Sequence, residues 1–290
     1  MLQNNLVSIV NRPLARRVRN VSLLLLLSYG IILIVISALE NRMVYLPRPW
    51  PDDTDFDAPA NLHDVFITTE DGARLHSWYL EHPAPRGYVL FFHGNAGNLY
   101  GRRHRFLHLS ERHQVSIFAM DYRGFGKSTG LPNETNTLSD ARRARTEFAR
   151  LAKISVQQIT ILGRSLGGGV AVDLAATEGC RGLILESTFT SLPDVAKRFY
   201  WWLPVHWLMR NRYESIDKIG RYSGPLIQCH AECDSLVPIA LGRQLFEQAQ
   251  APKSFHAWPE IDHNDPHPDA YDALLESFFE QLAPLDSVVR

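Results

Sequence analysis

From residue 61 onward, short apolar runs alternate with longer stretches that are apolar on one side only. Leu62 to Thr69 and Ala73 to Leu80 read as two strands, and Glu70-Asp71-Gly72 between them is a hairpin turn. The rhythm then becomes strand, loop, helix. Strands are predicted at Tyr88–Phe92, Val115–Met120, Ile159–Leu162, Gly182–Leu185, Pro225–Cys229 and Ser254–Trp258. Helices are predicted at Leu99–Arg112, at Glu134–Ala152 with Asn133 as its cap, from Gly168 to Ala176, at Ile239–Ala249 and at His267–Leu282. This alternation predicts an α/β fold: a mostly parallel sheet with helices on both faces. One segment, about residues 189–222, breaks the alternation and is dense in aromatics: Phe199, Tyr200, Trp201, Trp202 and Trp207. Its length predicts a short helical insert, read as a lid. The alternative is that these rings simply pack on the core.

The apolar pattern near the N-terminus is of another kind. Val21 to Leu39 carries no charge over 19 residues, enough to cross a hydrocarbon core as a helix. Arg12, Arg16, Arg17 and Arg19 precede it, and residues 1–39 hold no acid. The positive-inside rule then keeps the N-terminus in the cytoplasm and the bulk of the chain extracytoplasmic, as a single-pass membrane protein. A cleavable signal peptide, releasing an exported protein, is the rival reading; the run is longer than a usual signal core, which favours an uncleaved anchor. The expected organisation is a basic tail (1–20), a transmembrane signal anchor (21–39), a Pro- and Asp-rich linker (40–60) and one large domain (61–285). Outside residues 1–39 there remain 26 basic residues against 31 acidic, a balance that argues against nucleic acid as a partner. With 45% hydrophobic residues the chain is of ordinary globular composition.

Cys180, Cys229 and Cys233 are too few for a disulfide framework. Cys229 and Cys233 have the spacing to pair in an oxidising compartment, but buried free thiols are the simpler reading. His104 and His108 lie four apart on a predicted helix without the glutamate a zinc motif needs, so no metal and no cofactor is expected. A solvated basic face with Arg102, Arg103 and Arg105 accounts for them.

The chemistry is carried by Gly163-Arg164-Ser165-Leu166-Gly167, between a predicted strand and a predicted helix. A serine flanked by glycines in that setting is the pattern of a nucleophile elbow. The glycines remove side-chain bulk from a tight turn, and the helix start puts N–H groups where negative charge is favoured. A serine hydroxyl needs a base, and imidazole serves because its pKa is near neutrality; a carboxylate must then hold the ring in one tautomer. These partners follow in chain order on loops after two later strands, which nominates Ser165, Asp234 and His263 as a triad. The backbone N–H groups of Leu166 and Asn95 are the candidate oxyanion donors, the second from the loop His93-Gly94-Asn95-Ala96-Gly97-Asn98. His93 and His230 are expected to brace loops, Glu186 to anchor its neighbours, and Tyr122-Arg123-Gly124 to shape a pocket wall.

With these residues in hand, the chain resembles the α/β-hydrolase superfamily, and within it the membrane-anchored serine hydrolases of the bud-emergence type. The motifs that carry the resemblance are HGNAGN at 93–98, DYRGFGKSTG at 121–130, GRSLGGG at 163–169, ESTFTS at 186–191, HAECDSLVP at 230–238 and DHND at 262–265, with NRMVYLP after the apolar run. The resemblance implies eight mainly parallel strands and a Ser–Asp–His hydrolase. Two positions depart from the family pattern: Ala231 stands where glycine usually follows the acid-loop histidine, and Pro259-Glu260-Ile261-Asp262 lacks the glycine usual before the catalytic histidine. The expected activity is cleavage of an ester or thioester through an acyl-serine intermediate, on small-molecule substrates with a hydrophobic acyl chain. The competing class is a membrane-tethered binding or scaffold protein that keeps the fold without turnover.

Overall fold

The computed structural model describes residues 2–52, 56–250 and 252–285. Met1 of the expected basic tail and residues 53–55 of the expected linker lie outside the described residues. In chain order the elements are α1 (Leu2–Val44), β1 (Leu46–Pro47), β2 (Leu62–Thr68), β3 (Arg74–Leu80), β4 (Gly87–Phe92), β5 (Ala96–Gly97), α2 (Arg103–His113), β6 (Val115–Met120) and α3 (Glu134–Ala152). There follow β7 (Ile159–Arg164), α4 (Leu166–Glu178), β8 (Gly182–Glu186), α5 (Leu192–Phe199), α6 (Val205–Leu208), α7 (Ile216–Ile219), β9 (Leu226–Ala231), α8 (Ile239–Gln248), β10 (Lys253–Trp258) and α9 (Ala270–Gln281).

Eight strands form one sheet in the order β10-β9-β8-β7-β4-β6-β3-β2. β2 and β3 pair antiparallel, as do β3 and β6, and every other neighbour pair is parallel. The buried strands show why apolar runs rather than alternation mark them. In β4, Tyr88, Leu90 and Phe92 face the core under α3, α4 and α8, while Val89 and Phe91 face the core under α2 and α9. Both faces are covered, so every position must be apolar. Asn133 caps α3: its side chain accepts from the Asn136 N–H at 2.9 Å, and the Asn136 side chain accepts from the Asn133 N–H at 2.9 Å. This reciprocal pair satisfies two helix-start donors.

The strand order reverses at β4, whose neighbours are β6 on one side and β7 on the other. Such a reversal opens a crevice at the carboxyl ends of the strands, where the β4 and β7 loops diverge. The elbow stands in that crevice.

Two features outside the main sheet differ from expectation. β1 and β5 form a small parallel pair, with Leu46 opposite Ala96 and Pro47 opposite Gly97. Helix α1 runs on to Val44, where a linker was expected from residue 40. Its Leu14–Val44 portion is the one helix among the described residues long and apolar enough to cross a membrane, with a mean hydropathy of 2.6 over its most apolar 18 residues. Leu23 to Leu27 are exposed along it.

Candidate active site

Ser165 is the residue between β7 and α4, with φ 52° and ψ −119°. A non-glycine residue adopts that backbone only under constraint, and functional turns are where it accumulates. The constraint is visible on both sides. Ser165 N–H donates to the Glu186 carbonyl at 2.8 Å, and the Ser165 carbonyl accepts from Gly168 N–H at 2.8 Å and from the Thr188 hydroxyl at 3.0 Å. The flanking glycines are required sterically. A Cβ at Gly163 would stand 2.4 Å from the Gly167 carbonyl oxygen, and one at Gly167 would stand 2.1 Å from that of Phe92. Leu166 opens α4, so its N–H belongs to the first turn, which has no intrahelical acceptors.

Asp234 and His263 come from the loops after β9 and β10. The loops are stitched together: Glu232 N–H donates to the Trp258 carbonyl at 2.9 Å and Cys233 N–H to that of Ile261 at 3.2 Å. Asp262 fastens the same junction, accepting from the Ser235 N–H at 2.6 Å and hydroxyl at 2.7 Å, and from His263 N–H at 2.6 Å. Asp262 is thus occupied with backbone and does not compete for the His263 ring. His263 Nδ1 lies 2.7 Å from Asp234 Oδ2. The other oxygen, Oδ1, accepts from Leu236 N–H at 3.0 Å and Val237 N–H at 2.6 Å. Burial raises the pKa of Asp234, but hydrogen bonds from His230 and His263, the charge of His263 and the Val237 N–H outweigh it. The carboxyl is held well below the usual carboxylate range, so it stays ionised at neutral pH.

Ser165, His263, Asn95 and Leu166 line one cavity of about 360 Å³. Its remaining wall is mostly apolar and comes from three sources: the 189–222 segment (Val195, Phe199, Leu203, Leu208 among others), the end of α1 (Ile36, Met43 and Val44, with the carboxylate Glu40), and Leu236 and Val237 of the loop after β9. Asn95 is fixed by α1 and the short β pair. Its side-chain amide donates to the Val44 carbonyl at 2.9 Å, and its carbonyl accepts from Leu46 N–H at 2.8 Å. Among the described residues no group of three or more His, Cys, Asp or Glu is arranged to hold a metal.

A family profile of the alpha/beta hydrolase fold matches residues 87–261. The chain belongs to the α/β-hydrolase family. An uncharacterized protein of Mycobacterium tuberculosis is 33% identical over 85% of this chain and 88% of its own length. The Arabidopsis thaliana alpha/beta hydrolase domain-containing protein WAV2 is 30% identical over 77% of this chain and 79% of its own. The bem46 protein of Schizosaccharomyces pombe is 29% identical over 84% of each. Among solved structures, the Pyrococcus furiosus esterase Pf2001 superposes with a TM-score of 0.65 at 18% identity, over 82% of this chain and 98% of that one. That last likeness speaks to fold alone, and family membership supports hydrolysis as the class of activity.

In this α/β hydrolase the bracing residues fall behind the site. The His93 carbonyl accepts from the Tyr122 hydroxyl at 2.7 Å, and its Nε2 lies 3.3 Å from Asp121. His230 Nε2 meets the Val237 carbonyl at 2.8 Å. The expectation for Tyr122-Arg123-Gly124 needs correction: none of them lines the cavity, and Arg123 pairs with Asp140 at 2.7 Å and with Asp71. The solvated basic face on α2 is also corrected. Arg105 turns inward to Glu186, and Arg102 donates to the carbonyls of Asn98 and Ala96, both at 2.6 Å. All three cysteines are free; Cys229 is buried, Cys180 half-buried and Cys233 exposed. Glu260, within the stretch that lacks the usual glycine, has φ 62°. The loop takes a left-handed turn there and bears about 1–2 kcal/mol for a side chain in that conformation.

Glu186 ends β8 beneath the elbow. It accepts hydrogen bonds from Arg105 and from the Tyr271 hydroxyl, and His267 Nε2 lies 3.3 Å away. Burial raises its pKa, but the charges of Arg105 and His267 outweigh this and hold the carboxyl well below the usual range. A depressed native pKa contributes stability that is present above the unfolded value, about 4.3, and is lost as pH falls toward the native one. Glu186→Gln is therefore expected to lower stability at pH 7 by about 3 kcal/mol, because Arg105 is left uncompensated in the interior. The deficit should shrink below about pH 4.3, where the parent forfeits the same contribution. Thermal melts of both proteins at pH 7 and pH 4 check this; a deficit that is equal at both would refute it.

What the sequence reading missed is the part played by α1. Met43, Val44 and Glu40 line the cavity, although they fall in the stretch expected to be a linker. The NRMVYLP stretch, which resembles the family just after the apolar run, was the available signal.

Proposed function

We propose that this chain is a membrane-anchored serine hydrolase that cleaves carboxylic ester or thioester bonds through an acyl-serine intermediate. Ser165 is the nucleophile, His263 the general base and Asp234 the group that orients it; the N–H groups of Leu166 and Asn95 form the oxyanion hole. The observation that carries the reading is the 2.7 Å contact between His263 Nδ1 and Asp234 Oδ2, with the His263 ring and Ser165 lining one cavity. Asp234 takes the Nδ1–H, which leaves Nε2 with a lone pair to accept the Ser165 proton.

The hydroxyl of Ser165 adds to the acyl carbonyl as its proton passes to His263. Charge develops on the carbonyl oxygen, where the two N–H groups meet it. The tetrahedral species collapses, the C–O or C–S bond breaks, and His263 returns the proton to the leaving alcohol or thiol. Water then attacks the acyl-serine by the same route and releases the acid. Two features support a hydrophobic acyl group: the apolar wall opposite Ser165, and the cover given by the 189–222 segment, which acts as a lid. The Arg cluster before the apolar run supports a cytoplasmic N-terminus and an extracytoplasmic hydrolase domain.

The test is labelling of the full chain with a fluorophosphonate probe, followed by p-nitrophenyl esters of increasing acyl length. Labelling that Ser165→Ala removes, and a kcat/KM that rises from acetate to medium chains, are the expected results. An unlabelled protein would favour a tethered binding protein without turnover. Acetate preferred over every longer chain would overturn the acyl specificity.

A further inference from the structure

The 189–222 segment is tied to α1 along a considerable length. The Tyr29 hydroxyl donates to the Trp202 carbonyl at 3.0 Å, and the two rings stand 6.5 Å apart. Arg210 donates to the Ser37 carbonyl at 2.7 Å. Glu40, buried, accepts from the N–H groups of Arg210 at 2.9 Å and Asn211 at 2.7 Å, and from the Asn211 side chain at 2.9 Å. From Tyr29 to Glu40 is about 16 Å of helix at 1.5 Å per residue. The uncharged run ends at Leu39, so the segment lies beside the C-terminal half of the apolar stretch, against a hydrocarbon core about 30 Å thick.

The outward face of that segment is unlike the rest of the domain's surface. Trp207 is 92% exposed and Trp201 79%, with Phe199 and Trp202 about half exposed. Lys197 and Arg198 are exposed among them, as are His206, 3.4 Å from Asp194, and Arg210, which pairs with Glu40. Tryptophan interleaved with basic residues, beside a membrane-spanning helix, suits the headgroup and upper acyl region of a bilayer, and the cations suit anionic lipid. The cavity that holds Ser165 runs between the same two elements, with Ile36 of α1 and Phe199 of the segment in its wall.

We propose that the 189–222 segment is immersed in the same leaflet as the last turns of the membrane-spanning helix, so that the cavity opens sideways to lipid. The substrate class is then the acyl ester of a membrane lipid, whose chain passes from the leaflet to Ser165 between α1 and the segment without crossing water. The substrate half of this rests on the hydrolase reading above; the placement of the segment does not.

The full chain is reconstituted in phosphatidylcholine vesicles containing phosphatidylglycerol, with and without brominated acyl chains. Bromolipid should quench a large part of the tryptophan emission, and Trp201→Phe with Trp207→Phe should remove at least half of the quenched component. Equal quenching in parent and double variant would overturn the immersion. In the second arm, Trp201→Glu with Trp207→Glu should lower turnover of a long-chain ester dispersed in vesicles at least tenfold and change that of soluble p-nitrophenyl butyrate less than twofold. A parallel loss on both esters, or none on either, would overturn sideways access. A parent inert toward both esters would overturn the hydrolase reading and the substrate with it, while the quenching still decides where the segment sits.

Discussion

Ser165→Ala should lower kcat for ester cleavage by about 10⁶-fold, and His263→Ala by a similar factor. The double variant should be no worse than either alone. The reason is that the two groups act in a single event: without the ring the hydroxyl keeps its proton, and without the hydroxyl the ring has nothing to deprotonate. The residual rate reflects the Leu166 and Asn95 N–H groups and substrate binding, worth about 10³–10⁴ over water. Both variants should fold. Ser165 is held through its backbone, by Glu186, Gly168 and Thr188, and none of those bonds uses its side chain. Steady-state rates on one ester for the two singles and the double decide the matter; losses that multiply would mean that the residues do not form one relay.

Asp234→Asn should lower kcat by about 10⁴-fold while leaving the fold intact. The asparagine carbonyl still accepts from Leu236 and Val237, which hold this loop through Oδ1. Its amide, however, points an N–H at His263 Nδ1, which turns the ring to the tautomer that presents a proton to Ser165 instead of a lone pair. The pH profile adds a second reading. Because burial is outweighed and the carboxyl is held below its ordinary range, Asp234 remains ionised as pH falls to about 4. Any acid limb of kcat/KM above that point belongs to another group. A loss under tenfold for Asp234→Asn would move the orienting role elsewhere, with His230, whose Nε2 lies 3.4 Å from Asp234 Oδ2, the first residue to examine.

Much of this was legible because it is local. Val115–Met120 and Glu134–Ala152 have the expected bounds, since a run of apolar residues and an Asn133 cap need no knowledge of the rest of the chain. The elbow glycines announced a tight turn, although the group that excludes a Cβ at Gly167 is the Phe92 carbonyl of β4, distant in sequence. The eight-strand sheet came with the family resemblance, whereas its reversal at β4 is a matter of long-range pairing. What was not legible depends on partners distant in sequence. Arg105 sits in a run of basic residues that looks solvated, and only the fold brings Glu186 and Tyr271 to it. Arg123 looked like a pocket residue until Asp71 and Asp140 claimed it. Glu40 shows the limit most clearly. A carboxylate just beyond an apolar run marks the end of a span by its charge, yet its partners lie 170 positions away.

The Glu40 contacts bear on how the enzyme is handled in the laboratory. Trimming the first 45 residues to obtain a conveniently water-soluble preparation would take away Ile36, Met43 and Val44 and strand Asn95, whose amide bonds to Val44. Such a preparation would keep its sheet and lose one side of its substrate tunnel. Selectivity measured on it would describe a cavity that lacks this wall.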